Sequence, residues 1–164
     1  MLSGKQLSEN LCKLYSDTFS VPTVVFRYFN VFGPGQSDES EYSGVIAKFI
    51  NKIKNEESVT IFGDGHQTRD FVYVDNVVNA NVNASLRIEN VCGKVINLGT
   101  GVSVSIKELA EKLFGIFDKN VDINYEEARG GEIKDSKADV ACFIECFLNE
   151  GIIGCEEGVS LWIG

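Results

Sequence analysis

Two hydrophobic rhythms alternate along this chain. In "MLSGKQLSENLCKLYSDT" the apolar positions Leu2, Leu7, Leu11, Leu14 and Tyr15 recur at mostly helical spacing. The spacing predicts a helix over roughly Ser3 to Thr18 with one apolar stripe, and a stripe needs a partner surface. Thr23 to Phe29 then forms a nearly continuous β-branched and aromatic run with one charge, Arg27, halted by Gly33, Pro34 and Gly35. Such a run predicts a strand buried on both faces, the kind that parallel sheets covered by helices contain. "SDESEY" reads as a polar loop, and a second helix is predicted from about Ser43 to Lys54, with Val45, Ile46, Phe49, Ile50 and Ile53 on its apolar side.

The alternation continues. Val59–Phe62 and Arg69–Val74 are β-rich segments flanking "GDGHQT", whose glycines and aspartate supply the positive φ and side-chain turns of a reversal. Asp75 stands where an N-cap belongs, before a helix from about Asn76 to Leu86. "KVINLGTG" is a short buried strand, and Ser105 with Glu108 is a capping-box signature opening "IKELAEKLFGIF". "VDINYEE" reads as a strand, "ARGGEIKDSKAD" as a loop, and "VACFIECFLNEG" as a helix closed by Gly151. Strands alternating with helices predict the α/β class.

At 164 residues, 44% of them hydrophobic, the chain is long enough for one domain with a core. Fifteen basic against twenty-four acidic residues give a net charge of -9, which argues against nucleic acid or an anionic membrane as partner. No apolar run reaches the roughly 20 residues that span a bilayer, and no signal-peptide pattern opens the chain, so the expected compartment is cytoplasmic. The five cysteines, Cys12, Cys92, Cys142, Cys146 and Cys155, make no disulfide framework. Cys142 and Cys146 share a helix face, but His66, the single histidine, is distant in sequence and no CxxC occurs, so no metal site is expected.

Several polar groups are candidates for chemistry. Arg27, Tyr28 and Asn30 cluster at the carboxyl end of the buried strand, where open α/β sheets bind ligands; Asn30 equally suits the turn before Gly33. Arg69 follows one glycine-rich turn and Arg129 sits in another, "ARGGE", with Glu132 beside it. Two guanidinium groups suit a diphosphate and a carboxylate suits ribose hydroxyls, although spacing does not show that they converge. "GDGHQTRD" lacks the Lys-Ser ending of a P-loop and precedes a strand, and His66 in it has no evident partner.

Taken in order, "RYFNVFGPGQ", "SGVIAKFI", "VTIFGDGHQTRDFVYVDNVVNA", "NLGTG" and "RGGEIKDSKAD" resemble the NAD-dependent epimerase/dehydratase family. These are extended short-chain dehydrogenases acting on nucleotide sugars, and the likeness to UDP-glucose 4-epimerase-like members runs from Lys5 to about Asp139. The resemblance implies that Arg69 and Arg129 bind the substrate diphosphate and that Glu132 contacts the nucleoside. It implies further that Asn30 touches the diphosphate or sugar, that Phe29 lies near the nicotinamide, and that Phe49, Thr60 and Phe62 pack around the base. "KQLSE" resembles the lysine end of the family's Tyr-x-x-x-Lys motif, which makes Lys5 the lysine that holds the nicotinamide ribose.

The tyrosine position of that motif is Met1, whose thioether exchanges no proton, and no GxxGxxG or GxGxxG follows a strand. The expectation is therefore the C-terminal part of an extended short-chain dehydrogenase: the end of a Rossmann-like parallel sheet plus the small substrate-binding lobe, without the N-terminal NAD-binding half. Residues 1–164 are expected to form a single partial domain. Within it, 1–36 end the sheet and carry the motif lysine, and 37–150 are mainly the substrate-binding lobe with a return strand near 95–99. Residues 151–164 are read as a degenerate carboxyl end lacking a long final helix. Such a chain is expected to bind a UDP-sugar, to be inactive and without NAD on its own, and to associate with a Rossmann half or as a homo-oligomer. A non-catalytic nucleotide-sugar binding or interaction module is the alternative, as is a parent reaction of dehydration or decarboxylation.

Overall fold

The computed structural model describes residues 4–37, 44–147 and 151–164. Met1 and Ser43, on which two of the readings above rest, lie outside the described residues. The strands are β1 (Val25–Tyr28), β2 (Asn30–Phe32), β3 (Val59–Phe62), β4 (Thr68–Arg69), β5 (Phe71–Tyr73), β6 (Val95–Leu98), β7 (Val104–Ser105) and β8 (Ile123–Glu126). The helices are α1 (Gly4–Phe19), α2 (Val45–Lys54), α3 (Val74–Leu86), α4 (Ile88–Val91), α5 (Ile106–Phe117), α6 (Ala141–Cys146) and α7 (Cys155–Ile163). Strands pair in parallel as β1 with β6, β2 with β5 and β3 with β8, while β4 and β7 pair antiparallel. The fold is α/β, built around parallel pairs.

Two cores hold these layers. One joins α2, β3, β5 and α5 through Ile53, Val59, Ile61, Leu109 and Leu113, each at most 1% exposed. The other packs Ala80 and Ala84 of α3 and Phe143 of α6 on Ile96 and Leu98 of β6. The return strand thus brings two helices with it.

The run Thr23–Phe29 is not one strand buried on both faces. It breaks at Phe29 into β1 and β2, and Arg27 and Tyr28 are exposed. The cause is one-sided cover, because β1 is hydrogen-bonded only to β6 among the described residues. The stripe on α1 likewise finds no partner there: Leu7, Leu11, Leu14, Tyr15 and Phe19 are 48–61% exposed, and no residue of α1 is buried. Polar contacts hold that helix, namely a two-bond ion pair of Arg27 with Glu9 and the Thr23 hydroxyl donating to the Cys12 carbonyl at 2.9 Å.

Gly63 and Gly65 adopt φ of 79° and 77°, and the Asp64 carboxylate accepts the His66 N–H, which holds that carboxyl below its usual range. However, β3 and β4 do not pair across the turn, since their partners are β8 and β7. Ser105 and Glu108 form the full capping box of α5, at 3.1 and 2.9 Å. Asp75 is not an N-cap: α3 starts two residues earlier than expected, at Val74, capped by Tyr73 without a side-chain bond. Nor does Gly151 close α6, which ends at Cys146 with Phe147 as its cap.

The carboxyl end carries the nine-residue helix α7 and packs back on the fold. Asn76, 6% exposed, donates to the Ile153 carbonyl at 2.8 Å and accepts the Ile153 N–H at 3.0 Å. The helix α7 then packs so closely that a Cβ on Gly158 would stand 2.9 Å from Phe32 and Tyr73. Lys112 of α5 pairs with Glu156 of α7.

Candidate functional site

A cleft of about 510 Å³ opens between α2, the end of β3, β4 and the loop after β8. Asn30, Phe49, Thr60, Phe62, Arg69, Arg129 and Glu132 all line it. Residues spread over a hundred positions of sequence therefore meet at one surface. Lys5 and Phe29 lie elsewhere, Lys5 exposed on α1 and Phe29 half-buried between β1 and β2. Of the expected cluster at the end of β1, only Asn30 lines the cleft: Arg27 pairs with Glu9, and Tyr28 exchanges hydrogen bonds with Asn81. His66 is exposed in its turn.

Each wall has a local cause. α2 presents Phe49, 3% exposed, because its apolar positions face β3 and α5 while Lys52 and Lys54 occupy the last turn. The short strand β4 lifts Arg69 beside the loop, where Nη2 donates to Glu132 at 2.7 Å and Nη1 to the Thr68 carbonyl at 2.7 Å. Arg69 is only 14% exposed, so this pair is screened less than a surface one. The Arg129 guanidinium lies over the Phe62 ring, 3.9 Å from its centre. The loop is tied back to β4, with the Thr68 N–H donating to the Lys134 carbonyl at 2.8 Å and the Ser136 N–H to the Thr68 carbonyl at 3.2 Å.

One organising residue escaped the sequence reading. Asp70, fully buried between β4 and β5, accepts from the Thr100 N–H and hydroxyl at 2.8 Å, the Gly101 N–H at 2.9 Å and the Ala138 N–H at 3.1 Å. Its own carbonyl takes both the backbone and the side-chain N–H of Asn30, at 3.1 and 2.9 Å. The signal for it was a lone carboxylate inside the apolar run "RDFVYV". Gly99 completes this junction, since a Cβ there would stand 2.6 Å from the Ala138 Cβ. A second missed residue is Gln36, which lines the cleft with a buried Oε1 that has no partner among the described residues.

Chemically, the cleft is lined by two guanidinium groups, two lysines, several amides and the carboxylates of Glu126 and Glu132 around aromatic surface. Among the described residues no group of three or more metal-ligating side chains assembles, and no helix is long and apolar enough to cross a membrane.

Comparison with known proteins gives the family. The family model described as "NAD dependent epimerase/dehydratase family" matches residues 3–99. The chain belongs to that family. Among solved structures, the UDP-N-acetylglucosamine 4-epimerase of Methanobrevibacter ruminantium M1, in complex with UDP-N-acetylmuramic acid, superposes with a TM-score of 0.87 and 36% identity, over 96% of this chain and 50% of that one. The UDP-glucose 4-epimerase of Mycolicibacterium smegmatis is 32% identical over 137 residues, 84% of this chain and 43% of that protein. The UDP-N-acetyl-alpha-D-glucosaminuronate decarboxylase of Bacillus cytotoxicus is 33% identical over 162 residues, 95% of this chain and 49% of that protein. The chain of this NAD dependent epimerase/dehydratase family member spans about half the length of the relatives it matches.

Proposed function

We propose that the cleft binds a UDP-sugar and that this chain is the substrate-binding part of an NAD-dependent nucleotide-sugar epimerase of the UDP-glucose 4-epimerase kind. The convergence of Arg69, Arg129 and Glu132 on one aromatic-walled cleft carries the reading. In it, the two arginines clamp the diphosphate, Asn30 meets the diphosphate or sugar, and Glu132 takes the nucleoside. Phe49, Thr60 and Phe62 surround the base. Arg129 covers Phe62 here, so on this reading base stacking and the swing of Arg129 to phosphate are one event.

NAD is the cofactor of this reading, supplying hydride exchange when bound. Exposed Lys5 and half-buried Phe29 suit its nicotinamide end, as the holder of the ribose and as a neighbour of the ring. No glycine-rich strand-to-helix loop occurs in the sequence for its diphosphate, so these residues fit that end alone. A dinucleotide-binding half is the partner we assign to the open edge of β1 and the uncovered stripe of α1. A second reading, a nucleotide-sugar binding module without turnover, is favoured by a cleft lined entirely by residues of this chain. The decarboxylase among the relatives keeps decarboxylation in play as the parent reaction.

Calorimetry with UDP tests the proposal. We expect binding that weakens about 10- to 100-fold in Arg69→Met and in Arg129→Met, as the loss of charge-assisted pairs to phosphate dictates. Absence of heat at millimolar UDP overturns it.

A further inference from the structure

Away from the cleft, three reactive side chains meet where α6 packs on β6. Cys142 and Cys146 stand one helical turn apart on α6, and both lie against the core formed with β6. Lys94, the residue before β6, donates from Nζ to the Cys146 sulfur at 3.2 Å. Cys142 has Cys146 as its neighbour on the next turn of the same helix. Both are partly exposed, so small solutes reach them.

Their surroundings differ in a way that assigns roles. Burial pushes the Cys142 thiol up, and the adjoining Cys146 adds to the effect, so Cys142 keeps its proton at neutral pH. Cys146 instead faces an ammonium, and the hydrogen bond between them raises Lys94 above its ordinary range. An ammonium against sulfur is the setting in which cysteine acts as a nucleophile. Cys155, by contrast, is pushed up by burial to about 11, and Cys92 shares a hydrogen bond with the Ser16 hydroxyl at 3.0 Å.

We propose that Cys142 and Cys146 are an oxidisable dithiol, in which Cys146 attacks a hydroperoxide and Cys142 resolves the product. In the first step the Cys146 thiolate forms an S–O bond while the O–O bond breaks. The departing alkoxide or hydroxide takes a proton from water, and Cys146 becomes a sulfenic acid. In the second step the Cys142 sulfur attacks that sulfur, an S–S bond forms, the S–O bond breaks, and water leaves carrying the Cys142 proton. Two thiols are oxidised and one hydroperoxide is reduced to an alcohol, or to water. Cys146 is the last residue of α6, and Phe147 after it has already left helical geometry at φ -129° and ψ 40°. Cβ atoms four apart on a helix stand about 5–6 Å from one another and a disulfide needs about 3.5–4.5 Å, so closing the bond draws Cys146 out of the last turn of α6, which already ends there.

The test treats the whole chain with hydrogen peroxide and cleaves after glutamates, since a cut at Glu145 separates the two cysteines. Mass spectrometry is expected to find the two peptides joined by a bond that dithiothreitol reverses. In Cys142→Ser the sulfenic acid persists at Cys146 and is captured by dimedone. Lys94→Met slows the oxidation roughly tenfold, and Lys94→Arg, which restores a cation, keeps most of the rate. First oxidation at Cys12, Cys92 or Cys155 in the unaltered protein overturns the proposal, and so does a rate indifferent to Lys94→Met.

Discussion

The carbonyl oxygen of Asp70 accepts both the backbone and the side-chain N–H of Asn30, at 3.1 and 2.9 Å. A cleft residue on β2 is thereby locked to the residue next to Arg69, and the carboxylate of the same aspartate reaches the loops at Thr100 and Ala138. Asp70→Asn replaces an acceptor of four bonds by a group with one acceptor and a donor, facing buried N–H groups that lose their partner. The expected cost is about 2–4 kcal/mol, read from urea unfolding, and a loss within error of zero refutes the role of Asp70 as the junction of these segments.

Glu132 pairs with Arg69 at 2.7 Å in the wall of the cleft. Glu132→Gln removes that competing carboxylate, so inorganic pyrophosphate is expected to bind several-fold more tightly, since a like charge near the anion is gone. UDP gains less, or loses, because on the proposed reading Glu132 also holds the nucleoside. Titration calorimetry with both ligands separates the two effects, and equal changes for both exclude a nucleoside contact.

The exposed stripe of α1 is an apolar surface without cover among the described residues. Leu11→Lys with Leu14→Glu leaves the fold intact, because no residue of α1 is buried. Light scattering at rising concentration is expected to show self-association in the unaltered chain and its reduction in the variant. A strictly monomeric parent chain contradicts this.

The Cys155 thiol is pushed up to about 11, first by burial. Its proton is held more tightly in the folded state than in the unfolded one, so stability is full below the unfolded value and declines as pH rises toward 11. The decline amounts to about 2–3 kcal/mol, since each unit of pKa corresponds to about 1.4 kcal/mol. Cys155→Ala lowers stability at neutral pH but flattens this alkaline slope, which urea melts at increasing pH will reveal.

Local chemistry was legible and long-range chemistry was not. The Ser105–Glu108 box and the glycines of "GDGHQT" depend on neighbours in sequence, and both formed where expected. Asp70 depends on Thr100, Gly101 and Ala138, which no periodicity connects to it. The run Thr23–Phe29 was misjudged because hydrophobicity records that a face wants cover, not that cover is supplied. Similarly, "GIIGCEEGVSLWIG" lacks strong amphipathic rhythm, and its packing rests on the bare backbone of Gly158 and the clasp of Asn76. For the cleft, the candidate residues were visible as types, while their meeting came from the family resemblance and from the fold, not from spacing.

The loop after β8 is pinned at both ends, by β8 through Glu126 and by β4 through Lys134 and Ser136. Only the stretch 127–133 between these anchors is free to differ in length or content without disturbing Asp70. That stretch carries Arg129 and Glu132, so it behaves as an exchangeable cassette on a fixed frame. On the proposed reading of the cleft, swapping it between relatives is expected to transplant ligand preference while leaving the architecture alone.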